Sequence, residues 1–148
     1  MSKAELAAEN MKKGYNCAQS IVKAFAGEVG IENEEDLIKI AASLGGGMGR
    51  NGHVCGAVSG AALILGKKYG NSQPADVQAR EKAYNTTNLL LEAFEKEHQS
   101  VMCKDLISIN MKNPEELKKA REAGVFQNQC PLFVRSSGRL LEKLLESE

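Results

Sequence analysis

The feature that most constrains this chain is its regular succession of helix start and stop signals. Residues suited to N-terminal capping precede the apolar segments: Ser2, Asn16, Asn33 and Asn113. Asn16 is followed three residues later by Gln19, which is the spacing of a capping box. Gly124 marks a helix end, and Pro131 marks the start of the last helix. A chain divided in this way is expected to fold as a series of consecutive helices.

The apolar periodicity between these signals predicts an all-α fold. We expect helices over about residues 2–13, 16–26, 34–44, 53–68, 74–99, 114–123 and 131–145, and a short turn or helix at 103–107. In the longest segment Val77, Tyr84 and Leu91 repeat every seven residues, and Leu90 and Phe94 widen the apolar stripe. No segment has the alternation of a convincing strand. The sequence therefore predicts one domain over residues 1–148, an irregular bundle of about six to seven helices.

Composition limits the functional classes. The chain has 148 residues with 43% hydrophobic residues, enough for one core, and its 19 basic and 19 acidic residues balance. A nucleic-acid partner is not expected, because it normally requires a basic excess. The longest apolar stretch, residues 54–66, is too short to span a bilayer, and the charged N-terminus lacks the pattern of a secretory signal. We therefore expect a cytoplasmic protein without a membrane partner.

The candidate functional residues of the sequence are its four cysteines: Cys17, Cys55, Cys103 and Cys130. No two of them form a CxxC pair, so the signatures of a zinc ribbon and of a bacterial ferredoxin are absent. Taken singly, each is explained as a small core residue. In the cytoplasm, however, four cysteines favour metal binding or catalysis over structural disulfides.

The positions of the cysteines favour a common role. Each falls at a predicted helix start, where unpaired backbone N–H groups and the positive end of the helix dipole stabilise a thiolate. Four such positions are unusual for inert core residues. They suit thiolates that act as metal ligands or as redox nucleophiles. Among them, Cys55 is the expected attacking thiolate, with a lowered pKa.

The segment around Cys55 is rich in glycine. Gly56 and Gly60 lie four residues apart inside a predicted helix, where each glycine costs roughly 1 kcal/mol relative to alanine. Close approach of a second helix and close approach of a cluster or ligand both explain them. Hence Gly56 and Gly60 are candidates for cofactor binding.

The preceding loop spells GxGxxG over residues 47–52, but a dinucleotide fingerprint requires a strand before it. Gly47, Gly49 and Arg50 are instead candidates for an anion-binding turn, whose N–H groups could also point at a thiolate or sulfide. His53 is a possible ligand or base, although a solvent-facing loop histidine is the simpler interpretation.

The motifs together resemble a known family. They are Gly14-Tyr15-Asn16-Cys17-Ala18-Gln19, Gly46-Gly47-Met48-Gly49-Arg50, Cys55-Gly56-Ala57-Val58-Ser59-Gly60, Cys103 with Leu106, and Cys130. The chain resembles the redox-active proteins labelled by their cysteine pattern, C-GCAxxG-C-C, over about residues 10–135. Its central motif reads CGAxxG, because Gly56 follows Cys55.

The resemblance implies a redox-active helical domain found mainly in anaerobic prokaryotes. A similar module accompanies haem domains in split-Soret-type cytochromes, where an iron–sulfur cluster is associated with it. The resemblance thus implies that Cys17, Cys55, Cys103 and Cys130 are ligands. The chain has no CxxCH and hence no c-type haem site of its own.

Three functions stay open from the sequence, and whether the protein is an enzyme stays undecided. The first is electron transfer to a redox partner protein through an iron–sulfur cluster, most plausibly [2Fe–2S], held by the four cysteines. The second is a thiol–disulfide oxidoreductase or redox sensor that uses Cys55. The third is a structural zinc site. A homodimer is a further possibility, because the long helix and the leucines at 140–145 offer apolar faces.

Overall fold

The computed structural model describes residues 1–146 as a bundle of helices. The helices are α1 (Lys3–Lys12), α2 (Cys17–Phe25), α3 (Glu34–Ala41), α4 (Gly56–Tyr69), α5 (Val77–His98), α6 (Cys103–Ile107), α7 (Pro114–Glu122) and α8 (Cys130–Glu146). Single helical turns connect them at Ala26–Val29, Ala42–Leu44, Gly45–Met48 and Val125–Asn128. No strand is found in this part of the chain, and the predicted all-α bundle is confirmed.

The core forms where α2 and α4 pack together, with α1, α5 and α8 around them. Its largest fully buried side chains are Phe25, Phe94, Ile21, Ile64, Leu65, Leu90 and Leu141. Gly60 permits the close contact of α2 with α4, because a Cβ there would lie 2.9 Å from the carbonyl oxygen of Ala18. The leucines predicted as an apolar face at the end of α8 pack against this core from within the same chain.

Two predicted helix starts are wrong. α4 begins at Gly56 rather than near residue 53, because Val54 is extended and forms an antiparallel bridge with Met102. α5 begins at Val77 rather than at Pro74. Asp76 provides its N-cap by accepting a hydrogen bond from the backbone N–H of Ala79 at 3.1 Å, so that the proline lies in the turn before the helix.

The apolar stripe predicted on α5 is confirmed in its second half and wrong in its first. Leu90 and Phe94 are completely buried and Leu91 packs against the core, whereas Val77 and Tyr84 are exposed. α5 therefore turns the side of Leu90 and Phe94 toward the core. Homodimer formation through the exposed residues stays a prediction. None of the helices within residues 1–146 combines the length and apolar character needed to cross a membrane.

Candidate functional site

All four cysteines stand at helix starts, as the sequence predicts. Cys17, Cys103 and Cys130 are the first residues of α2, α6 and α8, and Cys55 is the N-cap of α4. The start of α2 is fixed by a complete capping box between Asn16 and Gln19. Each thiol is thereby placed next to backbone N–H groups that have no partner inside the helix.

Cys17 lies between the other three cysteines. Cys55 belongs to the main core, whereas Cys103 and Cys130 belong to a smaller apolar cluster with Met111, and Cys17 packs against both. The thiols of Cys130 and Cys55 are close enough to hydrogen-bond with the sulfur of Cys17. Cys103 interacts with Cys17 electrostatically. The fold thus brings together four residues that are widely separated in the sequence.

The environment of Cys17 stabilises a thiolate. Hydrogen bonds from Cys130, first, and then from Cys55 hold the pKa of Cys17 well below its ordinary value, although burial acts in the opposite direction. The backbone N–H groups of Cys17 itself and of Gly46 add to this lowering of the pKa. Cys17 is also the least buried of the four. It is therefore the nucleophilic sulfur of the site.

The other three thiols retain their protons. The hydrogen bond to Cys17, together with burial, raises the pKa of Cys55 and of Cys130 well above the ordinary value. Burial and the charge on Cys17 raise the pKa of Cys103 to about 12. The lowered pKa predicted for Cys55 is therefore wrong. Its N-cap position does provide an N–H donor, that of Ala57, but this donor does not outweigh the other two effects.

The glycine-rich loop forms a left-handed turn beside Cys17. Residues 46–50 have successive φ angles of 66°, 65°, 68°, 60° and 67°. Such a run is costly for residues other than glycine, here Met48 and Arg50, at roughly 1–2 kcal/mol each. The turn directs the N–H of Gly46 at the sulfur of Cys17. The loop thus has a donor to a thiolate at Gly46, toward Cys17, whereas the role predicted for Gly47, Gly49 and Arg50 stays a prediction.

A pair of short extended segments links Cys55 to Cys103. The backbone N–H of Cys55 donates to the carbonyl of Val101 at 2.8 Å, and the N–H of Cys103 donates to the carbonyl of His53 at 2.6 Å. The N–H of His53 in turn donates to Gly47 at 2.9 Å. Since its backbone makes these bonds and its side chain is exposed, His53 agrees with the simpler interpretation of a solvent-facing residue.

The remaining predicted residues divide into two groups. Gly47, Gly56 and Gly60 permit close contacts between backbones; a Cβ at Gly56 would lie 3.1 Å from the Cβ of Cys17. Gly49 and Arg50 line a cavity. Cofactor binding by any of the five stays a prediction.

The cavity has a volume of about 750 Å³ and opens beside the cysteines. Cys17, Cys103 and Cys130 line it, and Cys55 does not. The wall also includes residues that the sequence analysis did not single out, among them Met11, Met111, Leu117, Arg121 and Phe126. Their spacing along the chain gives no signal, because they come from α1, α7 and the connections beside them.

The thiols do not form a ready-made metal site. Within residues 1–146, no group of three or more Cys, His, Asp or Glu side chains has an arrangement that could hold a metal ion. Metal binding by the four cysteines, which the sequence predicts, therefore stays a prediction. The four thiols nevertheless form a group capable of redox chemistry, in which the pKa of Cys17 is lowered.

Comparison with known families agrees with this site. Residues 15–144 match the family model described as "Putative redox-active protein (C_GCAxxG_C_C)". The match covers most of the chain and includes all four cysteines, and the chain belongs to this family. No curated protein and no solved structure gives a significant match.

Proposed function

We propose that this protein transfers electrons through an iron–sulfur cluster, [2Fe–2S], bound by Cys17, Cys55, Cys103 and Cys130. The observation that carries the proposal is that Cys17 packs against two apolar clusters, one containing Cys55 and the other Cys103 and Cys130, so that four helix starts meet around it. Four cysteines are the usual ligand set of such clusters.

The donor chemistry of the site suits the cluster. Thiolates are the ligands that iron–sulfur clusters require, and Cys17 is already stabilised as one. The other three thiols lose their protons on binding, as metal ligands do. The cluster would supply a one-electron couple. Since no three of the described thiols form a metal site in their present arrangement, binding of the cluster would have to rearrange them.

The protein's own groups would tune this couple. The N–H groups of Gly46 and Ala57 are directed at the sulfurs of Cys17 and Cys55, respectively. Hydrogen bonds to sulfur and the exclusion of water both shift the reduction potential of a cluster. Ile107 and Met111, both buried next to Cys103 and Cys130, exclude water on one side. Electrons would pass to a redox partner protein at the open side of the site.

Anaerobic purification from cells replete in iron and sulfur tests the proposal. We expect about two iron and two sulfide ions per chain, with the electron paramagnetic resonance signal of a reduced [2Fe–2S] cluster. Substitution of each cysteine by serine should reduce the iron content. Met111→Leu is the matched control, because it removes a sulfur of the same cavity wall without removing a thiol. Protein free of iron, or carrying zinc in its place, would contradict the proposal.

A second function is favoured by the direct contact of Cys17 with Cys130. In this alternative the Cys17 thiolate attacks a disulfide of a substrate, and a substrate thiolate leaves. Cys130 then gives up its proton and attacks Cys17 in the mixed disulfide, releasing the second substrate thiolate. The two cysteines are oxidised to a disulfide and the substrate is reduced by two electrons. Cys17 rather than Cys55 is the attacking residue in this scheme.

Metal-free protein distinguishes the two functions. A thiol–disulfide oxidoreductase should cycle between dithiol and disulfide without iron, and Cys17→Ser should abolish the cycle. Mass spectrometry of peptides after oxidation should then join Cys17 to Cys130. Failure of the metal-free protein to oxidise would leave the cluster as the redox group.

A further inference from the structure

The cavity beside the cysteines has a charge pattern that the redox proposal does not explain. Three cations line it, Lys12, Arg50 and Arg121, and no Asp or Glu is among the described residues of its wall. The chain as a whole has equal numbers of acidic and basic residues. A local excess of one sign around a concave site attracts a ligand of the opposite sign.

Two of these cations are free to bind a ligand. Lys12 is paired with Glu9 at 3.1 Å, so its charge is partly balanced. Within residues 1–146 the side chains of Arg50 and Arg121 form no ion pair or hydrogen bond. A guanidinium group offers several donors in a planar fork, which matches the oxygens of a carboxylate or phosphate.

The position of Arg50 is fixed by the left-handed turn. Its aliphatic stem lies over Gly46, where a Cβ would approach the Cγ of Arg50 to 2.9 Å. Gly46 also donates its N–H to Cys17. The strained backbone of Arg50, with a φ of 67°, thus holds a free cation on the wall next to the thiolate.

Other parts of the cavity wall supply apolar surface and the second arginine. Met11, Met111, Leu117 and Phe126 line the cavity, and Arg121 stands in the last turn of α7. At about 750 Å³ the cavity is within the size range of sites for small organic molecules. Inorganic phosphate could pair with the arginines but would not contact the apolar side chains of the cavity wall. The site therefore suits a ligand that has both an anionic group and an apolar body.

We propose that this cavity binds a small organic anion, with a carboxylate or phosphate between Arg50 and Arg121 and an apolar body against Met111 and Phe126. Such a ligand would lie beside Cys17, Cys103 and Cys130, which line the same cavity. None of the four residues proposed to hold the anion is a ligand of the proposed cluster, and only the ligand's use as a redox substrate rests on the proposed function.

Calorimetric titration of the anaerobically purified protein tests this inference. The probes are phenyl phosphate and benzoate, with benzyl alcohol and inorganic phosphate as the neutral and purely polar counterparts. We expect both organic anions to bind at least roughly tenfold more tightly than either counterpart. Their affinity should fall with rising salt concentration. Equal affinity for benzyl alcohol, or no binding of either organic anion, would overturn the inference.

Arginine substitutions localise the binding. Arg50→Gln and Arg121→Gln should each weaken the binding of phenyl phosphate roughly tenfold. Arg80→Gln is the matched control, because Arg80 lies on α5 and does not line the cavity. Unchanged binding in both cavity variants would overturn the inference. Iron content is measured in the same preparations, so iron-free protein that binds the anion contradicts only the proposed cluster, and iron-loaded protein that does not bind it contradicts only the anion site.

Discussion

Cys17 and Cys103 both occupy the first position of a helix, yet their pKa values move in opposite directions. At Cys17 two neighbouring thiols and two backbone N–H groups outweigh the effect of burial and lower the pKa. At Cys103, burial and the negative charge on Cys17 raise the pKa to about 12. A helix start is therefore not enough to make a thiolate. The number of donors that reach the sulfur decides which cysteine is activated.

The largest expected effect of this difference in pKa is on how the free energy of unfolding changes with pH. In metal-free, reduced protein, stability should rise with pH up to about pH 9, because below that pH the unfolded chain still holds a proton that folded Cys17 has already lost, so that unfolding takes up a proton. Above that pH, Cys55, Cys103 and Cys130 stay protonated only in the folded state. Stability should then fall by up to about 1.4 kcal/mol per pH unit for each of these thiols.

Urea unfolding followed by circular dichroism from about pH 7 to pH 10.5 measures both slopes. Cys103→Ala is the informative variant, since it should make the alkaline slope shallower and leave the slope below pH 9 unchanged. Equal alkaline slopes for the variant and the unsubstituted protein would mean that burial does not raise the pKa of Cys103.

A substitution that pushes α2 away from α4 should have the next largest effect on the free energy of unfolding. Gly60→Ala places a Cβ against the backbone of Ala18, the residue that follows Cys17, and should lower the free energy of unfolding by about 1–3 kcal/mol. Gly66→Ala on the same helix is the control. A Cβ there meets nothing within 4 Å, so this change should raise stability by about 0.5–1 kcal/mol. Urea unfolding that gave both variants the same sign would contradict the close contact.

Removal of a single donor should reduce the reactivity of Cys17. Cys130 is the largest contributor to its lowered pKa. In Cys130→Ala we therefore expect the pKa of Cys17 to rise, so that the pH at which its alkylation by iodoacetamide reaches half of the maximal rate moves upward and the reaction below that pH is slower. Cys103→Ala, which removes no hydrogen bond to Cys17, should not slow the reaction. Peptide mass spectrometry identifies the alkylated residue, and faster alkylation of Cys103 than of Cys17 would contradict the assignment.

The strain in the left-handed turn should give the smallest effect. Met48 is exposed and has a φ of 68°, so Met48→Gly relieves strain but increases the freedom of the unfolded chain. The net gain in stability should be less than about 1 kcal/mol. Met48→Ala keeps the Cβ and should give no such gain. Thermal unfolding of the two variants measures the difference, and equal midpoints would indicate that the turn is not strained at this residue.

The sequence predicted the helices because their signals are local. Asn16 and Gln19 form the capping box that their spacing indicates, and Pro114 begins a helix as expected. One of the two misplaced helix starts depends on a distant partner. Val54 is extended because Met102 pairs with it, and no signal near residue 54 reports that pairing. The other depends on a local N-cap, Asp76, where the sequence analysis chose Pro74 instead.

The sequence by itself determined that four cysteines stand at helix starts in an all-α fold, because capping and periodicity are encoded within a few residues. Tertiary structure alone decided that Cys17 is the activated thiol. Its donors are Cys55, Cys130 and Gly46, which are separated from it by between 29 and 113 residues along the chain. A pKa depends on contacts within a few ångströms, and such contacts between distant segments exist only after α2, α4 and α8 have packed.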